Sequence, residues 1–182
     1  MSVMLRRSTG NGTAGAEQSG LGRVGALLVA VGLAMAAMPF VGPLVGLPFD
    51  GSDAWDWNRN RLVLHVLPGL VGAGMGLVLL HAQRRRTRHR LAYPAWLPGV
   101  AVGAVVVGVW NGVGPWLLDH VLPASQGSGL MFLGIPRFES FSTAHQLLLE
   151  AACHWIPGWL TLAAGWAAYR ALRRLPSLSW TS

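Results

Sequence analysis

The chain has 182 residues, of which 52% are apolar and only 12% charged, with a formal net charge of +7. Water-soluble domains carry about a quarter charged residues, whereas here the charges form short clusters between apolar runs of roughly 20 residues, the length that crosses a bilayer. That pattern excludes an ordinary soluble globular domain. It also excludes nucleic acid as the reason for the positive charge, because every basic residue is arginine and most flank an apolar segment, where they set topology.

The absence of lysine beside abundant Ala, Gly, Val and Arg suggests a high-GC bacterial genome. Cys153 is the sole cysteine, so no internal disulfide or paired-cysteine metal knuckle is available.

In chain order, residues 1–21 are polar and rich in Gly, Ser and Thr, and are expected to form a disordered cytoplasmic tail. The four-helix transmembrane domain is expected over 22–174. Val24 to Ala37 has the length of a signal-peptide core, with Ala34-Met35-Ala36 as the cleavage site. The apolar run continues to Leu47, however, which favours an uncleaved first helix over about 24–47, kinked or unwound near Pro39 and Pro43.

Asp50, Asp53 and Asp56 interleave with Trp55 and Trp57 in the next loop, and the tryptophans suit headgroup level. A second helix is expected over about 62–80, with His81 at its exit. The connection Gln83 to Arg90 carries Arg84, Arg85, Arg86, Arg88 and Arg90, which places it in the cytoplasm. Arg6, Arg7, Arg23, Arg170, Arg173 and Arg174 then fall on the same side, so both termini are expected to be cytoplasmic. Arg59, Arg61 and Arg137 are left outside.

A third helix is expected over about 95–118, ending near Asp119-His120. Gly72-x-x-x-Gly76, Gly99-x-x-x-Gly103 and Gly108-x-x-x-Gly112 are candidate packing seams, since helices in lipid associate by close approach. The apolar stretch Gly129 to Ile135 is too short to span and is expected in the interface. Thr143-Ala-His-Gln146 reads as a capping box opening a fourth helix over about 143–172, followed by a cytoplasmic tail at 175–182.

The fold class is therefore all-α, a polytopic membrane protein of two tandem helical hairpins. Two echoes suggest an internal duplication. Val41-Gly-Pro43 returns as Val113-Gly-Pro115, and His65-x-x-Pro68-Gly69 as His154-x-x-Pro157-Gly158. The run Gly108-Val-Trp-Asn-Gly-Val-Gly-Pro115-Trp116-Leu, entering a two-helix unit, resembles the SPW-repeat membrane proteins, whose unit is a helical hairpin carrying Ser-Pro-Trp. Gly114-Pro115-Trp116 stands for that signature in one half and Gly42-Pro43-Leu44 in the other. The resemblance implies a four-helix membrane fold and no functional residues.

Equal depth in matched hairpins would bring His65 and His154 to one level. Pro68 and Pro157 lack the N–H that would engage the carbonyls of Leu64 and Cys153, so each histidine is expected beside a freed acceptor that its ring can satisfy. Beyond that local role, two chemistries are open. Facing imidazoles are candidate axial ligands of a haem b iron. Alternatively, His65, His154, Glu150, Asp119 and His120 are candidate ligands of a zinc or copper ion.

Cys153 beside His154 is not a nucleophile and base, because neighbouring helical residues point about 100° apart. Hydrolase, metalloprotease, nucleotide-loop and dinucleotide signatures are absent from the sequence. The expected role is a non-enzymatic accessory or scaffold component in a bacterial plasma membrane, without a cofactor, contacting the bilayer and either a membrane-protein partner or further copies of itself. Haem- or metal-based electron transfer is the alternative.

Overall fold

In the computed structural model, residues 11–45, 55–89, 92–121, 131–132, 135–136 and 142–174 are described. Among them are four helices long and apolar enough to cross a membrane. We name them α1 (Asn11–Val41), α2 (Leu62–His89), α3 (Leu97–Val121) and α4 (Thr143–Arg174). A two-residue antiparallel ladder, Met131–Phe132 with Ile135–Pro136, is the one extended element among the described residues.

Several boundaries differ from expectation. Helix α1 already begins at Asn11, so the expected unstructured tail to Leu21 is corrected for residues 11–21; residues 1–10 and 175–182 lie outside the described residues. Helix α1 also stops at Val41 and not at Leu47, with a single 3₁₀ turn at Pro43–Val45. Pro43, which cannot donate a helical hydrogen bond, accounts for the early stop.

Helix α2 continues to His89, so Arg84, Arg85, Arg86 and Arg88 are helical and not part of a loop, and His81 does not mark an exit. Long straight-chain arginines are good helix formers and suit a helix C-terminus, where the backbone dipole is negative. The cap of α4 is Ser142, whose Oγ accepts the His145 N–H at 3.3 Å, and not Thr143. Asp50, Asp53, Arg137 and most of the 122–141 connection fall outside the described residues.

Backbone contact between helices holds the bundle. A Cβ added at Gly32 would stand 2.5 Å from the Gly69 carbonyl oxygen, and one at Gly76 would stand 2.6 Å from the Gly25 carbonyl oxygen. Rising numbers on α1 meet falling numbers on α2, so the two form an antiparallel hairpin. The second pair repeats this. A Cβ at Gly158 would meet Gly112 N at 2.9 Å and the Gly108 oxygen at 3.0 Å, and one at Gly165 would meet Val105 N at 2.8 Å and the Ala101 oxygen at 2.9 Å.

The seams therefore follow a seven-residue spacing, at Gly25 and Gly32, Gly69 and Gly76, Ala101 and Gly108, and Gly158 and Gly165. Such spacing keeps one stripe of a helix against a neighbour over two turns. The expected four-residue seams are only partly used. Gly99 faces open space, and Gly103 meets only the Met75 side chain.

The hairpins join in two different ways at the two ends. At the end bearing Arg23, Arg84 to Arg88 and Arg170 to Arg174, the core is apolar: Leu21, Leu28, Leu79, Leu97, Ala101, Ala104, Ala168 and Leu172 pack together. Tyr93 closes this end by donating to Gln83 Oε1 beneath the Arg86 guanidinium, which lies 4.4 Å from its ring centre. Burial raises the Tyr93 phenol above its ordinary pKa, against the opposing pull of Arg86. At the other end the core is polar, with Arg61, His65, Asn111, Glu150 and His154 all buried.

Outside, Leu33, Leu77, Val106 and Trp159 are more than half exposed. Polar groups within and large apolar groups outside invert the distribution of a water-soluble protein and match a multi-pass membrane protein.

Gly32→Ala is expected to force the hairpin backbones apart and cost about 1–3 kcal/mol, the range for overpacking a close contact. Gly74→Ala, where an added Cβ meets nothing within 4 Å, is expected to leave stability unchanged or raise it. Thermal unfolding of both variants in detergent measures the difference.

Candidate functional site

Two wide turns build the polar end. Leu62–Val66 on α2 and Ala151–Trp155 on α4 are π-helical, with the Leu67 N–H bonded to the Leu62 oxygen and the Ile156 N–H to the Ala151 oxygen. Each stands immediately before the segment that carries Pro68 or Pro157. In an ordinary turn the proline ring would collide with the carbonyl four residues back, and one added residue per turn relieves that clash.

The wide register also changes which carbonyl is orphaned. Counting five residues back from Pro68 gives Val63, not Leu64, and from Pro157 gives Ala152, not Cys153. The expectation that the histidine rings satisfy Leu64 and Cys153 is corrected accordingly. Val63 O is instead met by the Trp110 indole N–H from α3, at 3.3 Å. That bond crosses from one hairpin to the other.

The same turns bring His65 and His154 face to face. Their ring centres are 4.7 Å apart and tilted by 37°, and the residues are 4% and 0% exposed. Glu150 lies one turn before His154, 2% exposed, with Oε1 3.4 Å from His154 Nδ1. At that distance and angle the contact is electrostatic and falls short of a hydrogen bond; neither ring nitrogen of His154 has a hydrogen-bond partner, and Glu150 Oε2 has none.

Asn111 completes the interior on α3. Its Nδ2 lies 3.1 Å from Met35 Sδ on α1, and its Oδ1 is buried without a hydrogen-bond partner. Thr161, two turns along α4 from His154, is also buried.

Arg61, expected in an outer loop, is buried at 1% exposure. Its Nη1 donates to the Asp56 carbonyl at 2.7 Å, its N–H donates to Asn58 Oδ1 at 2.8 Å, and its guanidinium lies 5.7 Å from the Phe40 ring centre. Phe40 packs in turn against Trp57 and Trp55. Sequence reasoning missed Arg61, Trp110, Asn111 and Thr161. One signal was present: Arg61 precedes His65 by four residues as Glu150 precedes His154, and that spacing puts both members on one helix face.

Of the expected ligands, His65, His154 and Glu150 come together. Asp119 and His120 lie on the last turns of α3, and their side chains, like that of Trp116, are outside the described residues. Among the described residues no three His, Cys, Asp or Glu side chains are placed to hold a metal ion together. Cys153 is buried and reduced.

Gly69 and Gly158 are seam residues, as given above, while Gly114 and Pro115 are buried within α3, where a Cβ on Gly114 would meet the Trp110 indole at 2.9 Å. Helix α3 runs on past Pro115 to Val121, whereas α1 ends before Pro43, so these two prolines do not hold equivalent places.

The chain matches no protein-family model, no curated protein and no solved structure. The reading of the site therefore rests on its own chemistry.

Trp110→Phe keeps most of the ring volume but removes the donor to Val63, leaving a part-buried carbonyl unsatisfied. It is expected to cost about 1–3 kcal/mol, read as a lower unfolding temperature in detergent, and to loosen hydrogen-exchange protection around residues 62–66.

Proposed function

We propose that the chain is a multi-pass protein of a bacterial plasma membrane, duplicated from one helical hairpin, with both termini cytoplasmic. We propose further that it works as a non-enzymatic accessory component of a membrane assembly. Duplication is supported by backbone packing. Contacts made by Gly32 and Ala36 with Gly69 recur at Gly108 and Gly112 with Gly158, an offset of 76 on the first helices and 89 on the second. This differs by about one turn from the 72 given by the Val-Gly-Pro echo, so the packing supports a different alignment of the halves. The four-helix layout also accords with the SPW-repeat resemblance.

Orientation is supported by the gathering of arginines at one end, which by the positive-inside tendency faces the cytoplasm. The observation that carries the accessory reading is how the polar core is spent. Trp110 to Val63, Asn111 to Met35, and His65 against His154 each join one hairpin to the other. These groups unify the bundle and present no nucleophile with a base. Single cysteines introduced by Thr87→Cys and Ala144→Cys, each combined with Cys153→Ala, test orientation: an impermeant thiol reagent on intact cells is expected to label only the latter. The reverse pattern overturns it. Sizing in native nanodiscs is expected to give an assembly larger than one chain, and a lone monomer counts against the accessory role.

A second reading is favoured by one specific observation, the contact of two buried imidazoles beside a carboxylate. Such a set suits a zinc or copper ion. It does not suit the haem alternative at the spacing found. Two imidazoles bonded to one ion from opposite sides, each at about 2.0 Å, would hold their ring centres more than about 6 Å apart, against 4.7 Å here. Elemental analysis of the purified chain is expected to give a stoichiometric transition metal, lost in His154→Ala. A Soret band after haem-supplemented expression would reverse the order of the two.

A further inference from the structure

We infer that Glu150 is a positioning carboxylate and not a ligand: it holds the Nδ1 side of His154, so that His154 Nε2 and a ring nitrogen of His65 take one zinc-class ion between the two π-helical turns. This rests on the metal-binding reading above. Three observations lead to it. Glu150 Oε1 addresses Nδ1 of His154 at 3.4 Å. The opposite nitrogen, Nε2, belongs to a ring that is 0% exposed and has no hydrogen-bond partner, a condition that costs free energy unless some other group meets it. And the ring centres of His65 and His154 stand 4.7 Å apart, close enough for one ion to lie about 2.0 Å from a nitrogen of each ring.

Metal-bound histidines commonly donate their second N–H to a carboxylate, which fixes the tautomer and raises the basicity of the ligating nitrogen. The helix supplies this geometry without a loop. Residues four apart share a face, so Glu150 and His154 approach each other along one strip of α4, and the wide turn at Ala151–Trp155 lies between them. Immediately before α2 the matching place is held by Arg61, whose side chain is engaged with Asp56 and Phe40. Only one of the two imidazoles therefore has an acidic neighbour on its own helix, and the pair is chemically unequal although its surroundings match. His65 and a carboxylate-backed His154 make a donor set for zinc or cobalt(II).

The full-length protein in detergent is titrated with Co2+, followed by its visible absorption, and then with Zn2+ in competition. Wild type is expected to bind one ion, and His65→Ala and His154→Ala to abolish the absorption. Glu150→Gln is expected to weaken binding by about 10–100-fold, the usual effect of losing such a supporting partner, while the band keeps its position and intensity because the donor atoms on the ion are unchanged. Glu150→Asp, which keeps the charge, is expected to recover part of the affinity. Unchanged affinity in Glu150→Gln overturns the inference, as does a shifted band, which would make Glu150 a direct ligand. Failure of wild type to bind either ion instead overturns the metal-binding reading itself, and this inference with it.

Discussion

Close approach of helix backbones is the constraint on which the rest of the molecule depends. Lipid solvates an apolar side chain as well as another side chain does, so burial gives little drive for helices to associate, and contact area at short range has to provide it. Gly25, Gly32, Gly69 and Gly76 let α1 and α2 touch main chain to main chain, and Gly108, Gly158 and Gly165 do the same for α3 and α4. Once each hairpin is locked in this way, the positions of residues one turn along are set as well. His65 lies just beyond Gly69, and His154 just beyond Gly158, so the seams carry the imidazoles toward the bundle axis.

The interior then divides into two halves with different physics. Toward the arginines, leucine and alanine fill the space and the packing is indifferent to chemistry. Toward the histidines, buried polar groups are answered in part by one another, and an unanswered one in a low-dielectric interior is costly. Trp110 answers Val63, Arg61 is answered by Asp56 and Phe40, and Glu150 sits against His154. The polar half thus specifies which hairpin face meets which, a task that interchangeable leucines cannot perform alone.

Much of this was legible in the sequence, because apolar length and arginine clusters are strong, local signals. Four spans were readable from them, as was the pairing of His65 with His154 from the His-x-x-Pro-Gly echo. Three things were not. The π-helical register at Leu62–Val66 and Ala151–Trp155 depends on how a proline clash is relieved, and a one-residue widening leaves no trace in composition. The seven-residue glycine spacing was hidden by the more familiar four-residue pattern, and Gly99 shows that the latter arises freely in glycine-rich helices. Burial of Arg61 was also out of reach, because an arginine count near membrane ends speaks to the side of the membrane and not to whether the side chain points inward. In the same way, Pro43 and Pro115 share a Val-Gly-Pro sequence but not a place in the fold, since one follows the end of a helix and the other is accommodated inside one.

The wide turns before Pro68 and Pro157 have one last consequence. Neither can tighten to ordinary helical pitch, because the ring that forced it open is a permanent part of the chain. The facing imidazoles are thereby preset, and whatever approaches them does not have to spend its own affinity on ordering the backbone first. Rigidity of this kind, written by two rings that make no hydrogen bond of their own, turns a break in two helices into a fixed placement of two buried side chains.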